Sequence, residues 1–210
     1  MKKRLLASLT TAAALGASLA AVPATPASAA PGQDSLATAL AADGQRFDRN
    51  WGDFDVLDRA VTTVLEAKPD SAVKVLAEGS QKLTAFLPTD RAFRALVHDL
   101  TGKQPRTERA TFNRLAAATG VDTIEGVLLY HVVPGAKINY AMAGKSDGAA
   151  LKTAAGPTVV VNVRKDGRVA LRDKDTNDAN ALVKRSAKNV NKGNLQIGHG
   201  ISRVLRPADL

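Results

Sequence analysis

The chain has 210 residues, no cysteine and a formal net charge of +9, with 45% hydrophobic and only 4% aromatic residues. Disulfides, a thiolate nucleophile and cysteine-bearing metal sites are excluded, so stability rests on the packing of one domain with appendages. So few rings also argue against a sugar-stacking groove or a base-stacking platform for nucleic acid, since both need flat aromatic faces.

Met1 to Ala29 reads as a secretory signal peptide. Lys2, Lys3 and Arg4 form the charged start, Leu5 to Ala21 the apolar run, and Ala27-Ser28-Ala29 a small-residue cleavage site. Ser8, Thr10, Thr11, Gly16 and Ser18 make that run weak as a retained membrane anchor, and no second apolar run follows. We therefore expect a secreted, extracellular chain starting at Ala30, with no membrane span after cleavage. Its basic remainder favours association with a cell wall or another anionic surface.

Residues 30–49 read as an amino-terminal arm with a short helical pattern at Leu36 and Leu40. Phe54, Leu57, Val61, Val64 and Leu65 then repeat at helical spacing, with Asp53 as the expected cap and Pro69 as the stop. Val73, Val75 and Leu76 predict one more helical turn, and Trp51 is expected to pack where the arm meets the domain. Leu83 to Leu87 suits a short buried strand that Pro88 ends, since proline cannot donate to a ladder. Thr89 or Asp90 can cap the next helix, whose stripe is Ala92, Phe93, Leu96 and Val97.

After a break at Gly102 to Pro105, Phe112, Leu115 and Ala116, then Val121, Ile124, Val127 and Leu128, mark two helices separated by Gly120. Pro134-Gly135 is the expected end of the second. Asn139 to Ala155 reads as an irregular connection. Val159, Val161 and Val163 alternate along a strand, Asp166-Gly167 supplies the hairpin turn, and Val169 and Leu171 return. Asp173 to Asn194 is polar and basic, and a last strand over about Ile197 to Leu205 closes the domain, leaving Ala208 to Leu210 as a tail.

Three of these segments carry a resemblance. Thr84-Ala85-Phe86-Leu87-Pro88-Thr89-Asp90-Arg91-Ala92-Phe93 resembles the first signature of the fasciclin domain, T-V-F-A-P-T-D-x-A-F. Leu128 to Gly135 is similar to the family's central L-x-Y-H-V-V-P-G segment, and Ile197 to Pro207 resembles the second signature, N-G-V-I-H-V-I-D-x-V-L-L-P. In the last, Gly198 and Gly200 stand where the pattern has bulky apolar residues, Ser202 replaces Asp, and Leu195-Gln196 replaces Asn-Gly. The resemblance implies an α+β fold: a single fasciclin-type domain over residues 50–207, with helices in the first half and a twisted β-wedge closed by the carboxyl-terminal strand. It implies an adhesion or interaction module and singles out Thr89, Asp90, Phe93, Tyr130, His131 and His199 as family-motif or interaction candidates. The Tyr-His pair is linked to adhesion in fasciclin domains generally. From the residues alone, the apolar neighbours Leu128, Leu129, Val132 and Val133 favour burial of Tyr130 and His131, with their polar tips hydrogen-bonded.

Other chemistry lacks an anchor. Asp173 to Asp178 resembles the start of a calcium loop, but Asp178 stands where the sharp turn needs Gly and Lys184 where a bidentate Glu belongs. Gly144-Lys145-Ser146 lacks the first glycine of a phosphate loop, Asn139 standing there. His98, His131 and His199 have no metal-ligand spacing, and no G-x-S-x-G elbow occurs. We expect no enzyme activity, cofactor or metal. The expected partner is a cell-surface protein or an anionic envelope polymer, met through Lys184, Arg185, Lys188 and Lys192. The alternatives are a carrier of a small apolar ligand held between helices and sheet, and last a hydrolytic enzyme.

Overall fold

Strand β1, Leu83–Pro88, is buried along its whole length and divides the interior in two. Its alternate side chains point to opposite faces. Leu83, Ala85 and Leu87 join the helical core, whereas Phe86 joins the core of the β-wedge. The computed structural model describes residues 31–43 and 46–208; the leader read over Met1 to Ala29 lies outside them.

The helical core is built by α1 (Leu36–Leu40), α2 (Asp55–Ala67), α3 (Asp90–Thr101) and α4 (Glu108–Tyr130). The stripe expected for α3 is buried throughout; of that expected for α2, Leu57, Val61 and Val64 are buried and Phe54 and Leu65 partly so, with Val56 and Ala60 completing the face, and Ala72–Leu76 forms the expected extra turn, as a 3₁₀ helix. Gly120, at φ 74° and ψ 168°, breaks α4 into the two expected helical pieces, in a conformation open essentially to glycine alone. The arm before residue 50 packs on this core: Leu36 and Leu40 are buried, and the Leu36 N–H donates to Gln196 Oε1 at 2.8 Å.

In one sheet β1 lies between β2 (Val132–Pro134, antiparallel) and β7 (Gln196–Ile201, parallel), with Phe86 opposite His199. The other is the antiparallel meander β3 (Ala150–Lys152), β4 (Thr158–Val163), β5 (Val169–Arg172) and β6 (Ala181–Leu182). The expected hairpin closes with Val163 opposite Val169, around Gly167 at φ 74°.

Four local expectations are corrected. The second half of α4 ends at Tyr130 rather than at Pro134-Gly135, because Val132–Pro134 is drawn into pairing with β1. Asn139 to Ala155 is not wholly irregular. It holds the short helix α5 (Tyr140–Ala143), capped by the Asn139 side chain, and the edge strand β3, whose exposed residues give little apolar signal. Strand β7 stops at Ile201, short of Leu205, where its pairing with β1 runs out. Asp53 does not cap α2; the N-cap position is Phe54, and the donor next to it is served by Asp90. Among the described residues no helix is long and apolar enough to cross a membrane.

Candidate functional site

The six residues that the motifs single out lie in the interior. Thr89 takes the N-cap position of α3 but makes no side-chain cap bond; its backbone N–H donates to the Ile201 carbonyl at 3.3 Å, tying the corner to β7. Asp90 opens α3, yet its Oδ1 accepts from the Val56 N–H at 2.9 Å, so it caps the first turn of α2 from 34 residues away. Burial, with the adjacent Asp53 carboxyl, pushes Asp90 up to about 9. Phe93 is buried and lines an apolar cavity of about 110 Å³ with Leu96, Leu115, Ile124 and Leu128. That cavity lies among α2, α3 and α4 rather than between helices and sheet.

Tyr130, fully buried, donates its hydroxyl to the Thr158 carbonyl at 3.1 Å, and burial pushes its pKa up to about 12. His131 bridges distant parts of the chain. Its Nδ1–H donates to the Val127 carbonyl at 2.7 Å, and its Nε2 accepts the Leu205 N–H at 2.8 Å. One nitrogen must donate and the other accept, so the ring is neutral and its tautomer is fixed. Burial pushes its pKa down to about 4. His199 is held in the same way: its Nε2–H donates to the Ile138 carbonyl at 2.8 Å, and its Nδ1 accepts the Asn189 N–H at 3.3 Å. The wedge brings His199 against Phe86, with ring centroids 6.3 Å apart.

The Asp173 to Asp178 loop already holds a cation, and it is a side chain. Arg206, 8% exposed, donates to Asp175 at 2.9 Å and to Asp99 at 2.7 Å, and lies 3.1 Å from Asp178. This hub joins the loop to α3, and nothing in the spacing of the sequence announces it.

An open groove of about 630 Å³ is lined by Lys137, Asn139, Asn189 and Lys192 with Gly193 and Ile197. Asn189 and Asn191 adopt positive φ, which asparagine tolerates better than most residues. The Asn189 Oδ1 accepts the Tyr140 N–H at 2.8 Å, and Lys188 sits 5.2 Å from the centre of the Tyr140 ring. Among the described residues neither Lys137 nor Lys192 makes an ion pair. Of these residues the basic pattern of the sequence marks only Lys188 and Lys192. Lys137 and the asparagines join them through the fold, since His199 ties the segment after β2 to the segment before β7.

The family model described as the fasciclin domain matches residues 59–207. A solved structure of a FAS1 domain pair from the insect cell adhesion molecule fasciclin I is similar at 18% identity and a TM-score of 0.44. The similarity covers 68% of this chain and 49% of that one, so this chain spans about half the length of that structure. Among curated proteins none matches.

Proposed function

This chain belongs to the fasciclin domain family, and from that membership we propose that it is a non-catalytic interaction module that engages an anionic polymer at a cell surface. Fasciclin domains are typically adhesion or interaction modules of extracellular and cell-surface proteins. The observation that carries the reading is the groove between residues 137–141 and 189–197, whose ionic lining groups are two lysines that, among the described residues, have no carboxylate partner. Unneutralised cations in a concave site attract anions more strongly than the same charges on a flat face. Among the motif residues, His199 ties the two walls together through Ile138 and Asn189, and Tyr130, His131 and His199 are all buried. A non-catalytic reading is supported by the saturation of both buried imidazoles, which leaves neither free to act as a base.

The test is retention on immobilised inorganic polyphosphate over a rising salt gradient. The parent is expected to elute as salt shortens the screening length from about 8 Å at physiological strength to about 3 Å at 1 M. Retention that ignores salt would defeat the electrostatic mechanism. The leader supports export, and the intact mass of secreted protein should correspond to a chain starting at Ala30. A secreted species that keeps Lys2 to Arg4 would overturn that.

The cavity beside Phe93 favours a second, narrower reading as a carrier. At about 110 Å³ it is smaller than the 150 Å³ apolar cavities known to take benzene. It suits a very small apolar guest, and a longer one requires α3 and α4 to part. An absorption band in native protein beyond that of Trp51 and the tyrosines would support the carrier.

A further inference from the structure

The starts of three helices meet at a group of carboxylates. Asp48, Asp53 and Asp55 approach α2, with one carboxylate oxygen of each within 4.8 Å of the others. Asp53 forms a second such group with Asp90, the first residue of α3, and Glu108, the first residue of α4. Acidic groups of this kind are common and prove nothing alone. The independent observation is Glu108. It comes from another stretch of chain, is fully buried, points into the group, and has no hydrogen-bond donor on either carboxylate oxygen. The Asp48 backbone N–H approaches it without reaching hydrogen-bond geometry. Asp90 and Asp53 are hydrogen-bonded to each other through their carboxyl groups.

A buried carboxylate normally ends hydrogen-bonded, paired or coordinated to a metal. Arginines stand near these elements in the sequence but lie on rings instead. Arg94 is 4.5 Å from the Trp51 ring centre, Arg109 5.4 Å from that of Phe47, and Arg59 5.9 Å from that of Phe112. The helix N-termini offset part of the negative charge and hold the carboxylates together. They supply no donor to the oxygens named above.

We propose that Asp53, Asp90 and Glu108 form a binding site for one calcium ion, with Asp48 at its solvent side. The donors are all hard oxygens, the set that calcium prefers. Calcium–oxygen bonds of about 2.3–2.6 Å allow two ligand oxygens to lie up to about 5 Å apart on a single ion, so oxygens within 4.8 Å of one another can share it. Magnesium demands a stricter octahedron and gives up its waters reluctantly. Asp53 is half-buried and Asp48 exposed, which gives the ion a way in. Bound there, calcium joins the starts of α2, α3 and α4 to the loop before residue 55, and its binding free energy adds to folding stability.

Trp51 makes the site observable. It is the only tryptophan, it precedes Asp53 by two residues, and its carbonyl accepts the Arg91 N–H at 3.0 Å, beside Asp90. Chelator-treated protein is titrated with terbium, a luminescent stand-in for calcium, under tryptophan excitation, and then with calcium. Terbium emission should rise to saturation and be reversed by calcium, and calcium should raise the melting temperature to a plateau. Glu108→Gln should weaken both effects on the order of tenfold or more. No saturable emission with no calcium-dependent melting shift in the parent would overturn the proposal. Calcium affinity unchanged by Glu108→Gln would overturn it too. If Glu108→Gln does not fold, Asp53→Asn on the half-buried loop is read by the same two criteria.

Discussion

His131 uses both ring nitrogens to join the end of α4 to the backbone at Leu205, 74 residues away. Replacing it with Ala leaves the buried Leu205 N–H and Val127 carbonyl without partners, at a cost of about 1–3 kcal/mol. For a chain of this size each kcal/mol lowers the melting temperature by about 2–4 °C. Lys188→Ala, on the exposed surface, should melt within about 1 °C of the parent. Acid also separates the two forms. The folded pKa of His131 is pushed down to about 4, so as pH falls the unfolded chain takes up the proton first. Its contribution is complete above about 6.5 and is lost between about 6.5 and 4. The stability gap between the parent and His131→Ala should therefore narrow across that window; a gap independent of pH would show that the ring is not buried neutral. The apolar neighbours of His131 made its burial legible in the sequence. Its partner at Leu205, like the reach of Asp90 to Val56, was not legible, because each contact joins distant stretches of chain that only the folded backbone brings together.

At the scale of elements, periodicity read well wherever one face is buried and the other wet. Helices α2 and α3, the break at Gly120 and the β4–β5 hairpin all follow their apolar spacing. It failed where tertiary pairing decides, as at β2, which continues an apolar run that looks helical, and at the exposed edge strand β3. The two glycines of β7 show a different kind of information. A Cβ on Gly198 would lie 2.5 Å from Leu87 Cδ1 and 3.1 Å from Leu36 Cδ2, so Leu87 of β1, with Leu36 of α1 behind it, occupies the space that a side chain would need. A Cβ on Gly200 would meet the Ala187 Cβ at 2.5 Å, with the Ala187 carbonyl also near. The small residues thus let the arm and the 3₁₀ turn at Arg185–Ala187 seat closely on the strand. Gly200→Ala should cost about 1–3 kcal/mol by overpacking. Gly198→Ala should cost less, since leucine methyl ends can turn aside. Urea midpoints measure both, and parent-like stability of Gly200→Ala would show that the turn does not press on β7.

Across the whole molecule, three motif segments made the α+β fold and the family legible, because they supply all three strands of the β2-β1-β7 sheet, the corner between β1 and α3, and the end of α4. The groove was only half legible. Its basic residues after position 184 were visible as a charged stretch, but Lys137 and Asn139 come from a segment that reads as a plain connection. The absence of cysteine leaves packing, the Arg206 hub and the proposed calcium site to hold the chain together. The deciding question is whether the groove, and not net charge, recognises the polymer. Calorimetric titration of inorganic polyphosphate compares the parent with Lys137→Gln/Lys192→Gln and with Lys165→Gln/Lys174→Gln, an equal charge change at two exposed lysines outside the groove. At roughly 1 kcal/mol per lysine at an anionic surface, the groove variant should bind about 30-fold more weakly at low salt, with the control close to the parent. Equal affinities for the two double variants would contradict the account and reduce the attraction to overall charge.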